Sequence, residues 1–380
     1  MRKRWLFLGS VPLLCAAALG ALALSLPSSR PSGAPLVPVP EPERAALLAR
    51  LRPPKRARPL VAVLANNSGT ETTDFAVPLG VLRASGAADV VAVAPHAEPV
   101  TLMPALRVRP DLDFAGFDAA HPDGADYVIV PALHQSDDPA VLEWLRGQAR
   151  SGAIAVGICD GAWVLGAAGL LDGRSATAHW FSRARLAKSV AGMRWVPDRR
   201  YVADDGVLTT TGVSASLPAS LTLVEAIAGR ARAEELAAEF GVPSFGAEHA
   251  SGAFALDRPA LWTGLGNGLA RWRREAIELP LQDGVDEVAL ALTADAWART
   301  WRASVRALGP SEVTSARGLV LLADGPASPA DAGHRVALSG PGGSAIDRAL
   351  EAIGERYGPG TEDFVALQLE YDRPVNRAAR

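Results

Sequence analysis

Gly157-Ile158-Cys159-Asp160-Gly161 is the stretch of this chain best suited to chemistry. It closes the apolar run Ala153-Ile154-Ala155-Val156 and opens the helix-forming run Ala162-Trp163-Val164-Leu165-Gly166-Ala167-Ala168. A strand passing through G-x-C-x-G into a helix is the sequence form of a nucleophile elbow, a turn so tight that small residues must flank the nucleophile. The elbow lifts the cysteine above the end of the sheet. The helix start aims free N–H groups and its positive dipole end at the sulfur, which favours thiolate. The plainer alternative is a buried cysteine that packs as a small hydrophobe. With both glycines in place the elbow is the better reading. Thiol chemistry then asks for a group that handles protons and for N–H donors to a developing oxyanion.

The residues after the elbow carry a resemblance. They are Ala167-Ala168-Gly169-Leu170-Leu171-Asp172-Gly173-Arg174, Ala176-Thr177-Ala178-His179-Trp180, Asp205-Gly206-Val207-Leu208-Thr209-Thr210-Thr211-Gly212 and Leu223-Val224-Glu225-Ala226-Ile227-Ala228-Gly229. In this order they resemble the ThiJ/PfpI superfamily of class I glutamine-amidotransferase-like domains. The nearest likeness is to the ligand domain of AraC-type regulators and to isocyanide hydratases. It covers about residues 60–230 and is specific for the superfamily, not for a reaction.

The resemblance implies roles residue by residue. His179, in Thr177-Ala178-His179, stands where the superfamily has a histidine at the mouth of the site, able to donate or accept a proton. Asp74, four residues before Pro78, stands where an acid reaches the cysteine from the first helix. Held there it would be partly desolvated, with a raised pKa, and able to share or transfer a proton. A structural histidine and a helix-capping aspartate are the plainer alternatives. Two departures tell against full activity. Asp160 follows the cysteine directly; its N–H can serve an oxyanion, but its carboxylate disfavours thiolate if it turns toward the sulfur. Pro131-Ala132-Leu133 replaces glycines whose N–H groups complete the family's oxyanion hole, and His134 follows as a candidate pocket residue. The resemblance also implies a homodimer, paired through helices near the active site.

These residues need a scaffold. Leu60 to Ala65, Val90 to Ala94, Tyr127 to Pro131 and Val207 to Thr210 read as short buried strands, with helices over Asp74–Ala84, Asp138–Ser151 and Leu217–Ala228. Strands alternating with helices predict an α/β fold, a doubly wound, mostly parallel sheet of flavodoxin-like type, covered on both faces. Ligands of such sheets sit at the carboxyl ends of the strands, where the elbow places Cys159.

At the scale of the chain, 380 residues with 49% hydrophobic content allow two domains and a sizeable core. The net charge of −3 offers no footprint for nucleic acid. Cys15 lies in an N-terminal apolar segment, so the remaining chain holds one thiol and no internal disulfide. The six histidines show no metal-ligand spacing, and no cofactor is expected. Arg2-Lys3-Arg4 followed by the uncharged stretch Trp5–Leu26 predicts that residues 1–26 are an export signal or a membrane anchor, with the rest translocated. Residues 27–59 read as a Pro-rich, semi-rigid linker, 60–230 as the ThiJ/PfpI-type domain and 231–284 as a mostly helical connection. Residues 285–380 read as a C-terminal α/β extension. Its start, with the turn before it (283–322), repeats the order found over 69–108: turn, amphipathic helix, strand, short hairpin. Gly340 to Gly343 lacks the order of a phosphate loop and reads as a turn.

The expected function is that of a cysteine-dependent hydrolase or hydratase/lyase on a small electrophile, an isocyanide, dicarbonyl or amide. A catalytically weak ligand-binding or redox-sensing domain is the alternative. A transcription regulator fits less well, since no basic helix pair follows residue 230.

Overall fold

The computed structural model describes residues 17–31, 36–327 and 334–372. Most of the expected signal or anchor, residues 1–16, lies outside the described residues; 17–25 are helical. Among the described residues no helix is long and apolar enough to cross a membrane.

In chain order the first part runs α1 (Glu41–Arg50), β1 (Leu60–Leu64), β2 (Thr70–Glu71), α2 (Thr72–Ser85), β3 (Asp89–Ala94), β4 (Val100–Met103), β5 (Arg107–Arg109) and β6 (Leu112–Asp113). It continues with α3 (Phe114–Ala120), β7 (Tyr127–Val130), α4 (Pro139–Arg150), β8 (Ile154–Gly157), α5 (Gly161–Ala167), β9 (Ser175–Ala176), α6 (Arg183–Ser189) and β10 (Arg194–Trp195). β11 (Tyr201–Asp204), β12 (Val207–Thr210), α7 (Ser216–Ala228) and α8 (Arg230–Phe240) follow. Then come α9 (Arg258–Leu269), β13 (Glu275–Pro280), α10 (Glu287–Ala298), β14 (Ala303–Leu308), β15 (Glu312–Thr314), β16 (Val320–Leu322), β17 (His334–Arg335), α11 (Ala345–Tyr357) and α12 (Pro359–Gln368).

The central sheet has the order β11-β12-β8-β7-β1-β3-β6 and is parallel throughout except for the pair β11–β12. Every residue of β1, β7 and β8 is buried, as continuous apolar strands in a sheet covered on both faces must be. One face packs on Phe75, Leu79 and Leu82 of α2 together with α7. The other packs on Phe117, Leu145 and Trp144 of α3 and α4, the Trp144 ring stacked on Phe114 at 4.4 Å. The chain is therefore an α/β protein with a mostly parallel sheet, and Cys159 follows the carboxyl end of β8.

Two segments differ from their expected form. The Pro-rich stretch does not run free, because α1 is docked on the domain. Tyr127 Oη donates to Leu51 O at 2.6 Å, Arg199 pairs with Glu43, Arg44 with Glu225, and Leu51 is fully buried. The buried Leu51, the partly buried Leu47 and these two charge pairs hold α1 on the domain. The stretch expected to be mostly helical holds α8 and α9 but ends in β13, which starts a second parallel sheet, β14-β13-β17.

The C-terminal part is merged with the first. Its hairpin β15–β16 joins β5, β4 and β2 in one five-stranded sheet through the antiparallel pairing of β16 with β5. α10 lies antiparallel along α2. Thr73 Oγ1 donates to Asp295 at 2.8 Å, and a Cβ on Gly80 would stand 2.7 Å from Val288 Cγ2, so only glycine lets the helices approach this closely.

Candidate active site

The elbow has the geometry its residues imply. Cys159 adopts φ 54°, a left-handed conformation that costs a side-chain-bearing residue energy and is found where a site holds it in place. Its two glycines are needed for space. A Cβ on Gly161 would fall on the Val130 carbonyl oxygen, and one on Gly157 would lie 2.9 Å from Leu165 Cδ1. Cys159 is 7% exposed, so only a small reactant reaches the sulfur.

Acids surround this thiol. Asp74, fully buried in the first turn of α2, accepts from Ala132 N at 3.2 Å, and Ser216 Oγ stands 3.5 Å from its other oxygen. It is not the helix cap: that is Glu71, whose carboxylate accepts from Asp74 N at 2.6 Å. Burial pushes the Asp74 carboxyl up to about 8, with Asp295 and Asp160 adding to the rise and the Ala132 N–H and Arg299 opposing it. Glu71 is raised well above the carboxylate range by burial and then by Asp74 and Asp295. The Cys159 thiol is itself pushed well up, first by burial and then by Asp74, Asp160 and Glu71, against the pull of Arg299. Burial and the carboxylates thus oppose the thiolate that the helix start favours. α5 is only seven residues long, and its N-terminal field is outweighed by desolvation and carboxylates.

Arg299 and Asp295 were not foreseen. Arg299, at the end of α10, bonds Asp295 at 2.7 Å and Glu71 at 2.9 Å and is held fully protonated. The available signal was an acid and a base four residues apart in an otherwise apolar helix, where an unpaired charge would be costly.

The other candidates are placed as follows. Ala132 gives its N–H to Asp74, and Cys159 gives its own to Thr210 Oγ1 at 2.9 Å. The Asp160 N–H stands directly after the cysteine, at the start of α5. The Asp160 carboxylate turns to the Ser182 hydroxyl. Leu133 is half-buried against the α3–α5 core, and His134 is exposed, with its N–H bonded to Gly69 O at 2.9 Å. His179 is drawn toward the chain end. Its Nε2 lies 3.1 Å from Gln368 O, which can only accept, so Nε2 carries the proton, and Nδ1 receives Phe181 N–H at 3.4 Å. Both ring nitrogens are engaged. Beside it Glu370, 1% exposed, binds Gly212 N at 2.7 Å, Trp180 N at 3.1 Å and His249 Nε2 at 3.0 Å. The structure thus brings Cys159, Asp74, Asp160 and Ala132 together, and holds His179 and His134 on other partners.

The strand–cysteine–helix elbow with an acid reaching it from the first helix agrees with a family match. The family model described as DJ-1/PfpI family matches residues 60–226. The Parkinson disease protein 7 homolog of Danio rerio is 32% identical over 183 residues, 46% of this chain and 91% of that protein. This chain belongs to the DJ-1/PfpI family. Another DJ-1/PfpI relative, the isonitrile hydratase of Pseudomonas putida, is 31% identical over 160 residues, 41% of this chain and 67% of that protein. The crystal structure of Drosophila melanogaster DJ-1beta is 23% identical, with a TM-score of 0.44, and covers 49% of this chain and 100% of that one.

Proposed function

We propose that this DJ-1/PfpI protein hydrates a small electrophile of the isocyanide type, with Cys159 as nucleophile and Asp74 as proton carrier. The observation that carries the reading is a thiol and an acid buried in one site, Cys159 7% exposed and Asp74 fully buried, where desolvation favours the neutral form of both. A neutral pair suits addition across a carbon that needs sulfur and hydrogen together. The sulfur bonds to the terminal isocyanide carbon, Asp74 gives that carbon its proton and takes the proton leaving the thiol. The product is a thioimidate, R–N=CH–S–Cys. Water then adds to the same carbon, nitrogen takes a proton, the C–S bond breaks and the sulfur regains its proton, releasing the N-substituted formamide.

The same site fits the competing readings less well. A peroxide-sensing cysteine works as an exposed, low-pKa thiolate, and this thiol is buried and raised. Amide hydrolysis leans on a preorganised pair of N–H donors, and here Ala132 and Cys159 have given theirs away.

The test is formamide production from n-butyl isocyanide, followed by NMR, for the wild type, Cys159→Ala and Asp74→Asn. Turnover lost in both variants is expected. Turnover that survives Cys159→Ala, or a wild type that leaves the isocyanide untouched while a dicarbonyl or amide is consumed, rejects the reading. The basic–apolar order of residues 2–26 supports an extracytoplasmic location for this activity. A C-terminal alkaline phosphatase fusion that stays inactive in the host would reject that part.

A further inference from the structure

We infer that residues 283–322 are a degenerate second copy of residues 69–108, folded back on the first about a pseudo-two-fold axis, so that the chain carries its own partner subunit and supplies Arg299 to the Cys159 site from within.

The register carries the inference. In the first half Val100 pairs with Val108 and Thr101 with Arg107; in the second Val313 pairs with Leu321 and Thr314 with Val320. All four positions shift by the same 213 residues. Where the halves meet, Val108 pairs with Leu321, its own counterpart under that shift, and Arg109 with Val320. A strand pairing antiparallel with its own equivalent is what a two-fold axis through that pair produces. The helices repeat the relation. Glu71 caps α2 and Asp286, 215 positions later, caps α10. With this shift Val288 answers to Thr73 and Asp295 to Gly80. Thr73 bonds Asp295, and Gly80 meets Val288. Residue i of one half touches the counterpart of j, and j touches the counterpart of i, which is the mark of an isologous interface.

The contact faces are therefore used up. The α2 face and the β5 edge, which a second copy would need for pairing near the active site, are covered by α10 and β16 of the same chain. Because α10 runs antiparallel to α2, its end brings Arg299 to Glu71 and to the pocket where its charge acts on Cys159.

The pairing is testable by disulfide trapping in the full chain carrying Cys15→Ser. Neighbouring opposed pairs in an antiparallel ladder alternate between wide and close, so one of Val108→Cys/Leu321→Cys and Arg109→Cys/Val320→Cys has the close geometry. Oxidation is expected to link at least one double variant within a single chain, at the mass of one chain, while Val108→Cys alone gives no disulfide dimer. Dimers from Val108→Cys, interchain links in the double variants, or no link in either pair would overturn the inference. Mixing tests the supply of Arg299. Arg299→Gln should slow Cys159 alkylation about tenfold, and adding a Cys159→Ala chain should leave that rate unchanged. Recovery of the rate on mixing would show that Arg299 comes from another copy.

Discussion

At pH 7 the Asp74 carboxyl keeps its proton, and this decides how the site titrates. Hydration is expected to be level to about pH 7 and to fall as Asp74 ionises near 8. A rate that rises through pH 8 would point to a thiolate mechanism instead. Iodoacetamide should find the wild-type thiol slow, titrating above the free value of about 8.5, and Asp74→Asn should move it down, since the Asp74 charge is part of what raises it. Stability has the opposite sense to a usual carboxylate. The native state holds a proton that the unfolded chain releases near 4, so stability is greatest below that and declines as pH climbs to about 8. The slope for one such proton is at most about 1.4 kcal/mol per pH unit. Thermal midpoints from pH 4 to 9 should fall less in Asp74→Asn, and equal curves would refute the assignment. Residue types and spacing made Cys159 legible, and the resemblance added Asp74 and Asp160. Arg299 and Asp295 were not legible, because they reach the acids around the thiol only after a helix more than 130 positions later packs on α2.

Elements make the same division. Continuous apolar runs told which strands are covered on both faces, and the two glycines told where β8 turns. The reason for Gly161 is its closeness to β7: α5 starts against the Val130 carbonyl, a contact that no local pattern reveals. Gly161→Ala must move α5 or β7, and a loss of about 1–3 kcal/mol is expected in urea unfolding, along with loss of turnover; unchanged stability would mean that the elbow is looser than described. The docking of α1 was not legible in a stretch that read as a linker. That rests on Leu51 and on charge partners scattered over residues 199 to 225, which only the folded chain assembles.

For the whole molecule, the two halves share a sheet and a helix pair, so neither should stand alone. A chain ending at residue 282 would expose the α2 face and leave β5 as an open edge. It is expected in the insoluble fraction, and a soluble, monomeric fragment with native circular dichroism would show that the first half is self-sufficient. The order turn, helix, strand, hairpin was readable in both halves. That they close on one another was not, since a repeat names equivalent segments and only their contacts reveal the axis between them.

The β5–β16 pairing also sets a timetable. Val108 is synthesised more than 200 residues before Leu321, the strand residue that pairs with it across the seam. A chain growing at about 5–20 residues per second leaves that edge bare for about 10–40 seconds, with the apolar side of α2 beside it. Through that interval the nascent first half offers another nascent copy the same pairing surface that its own second half will later close.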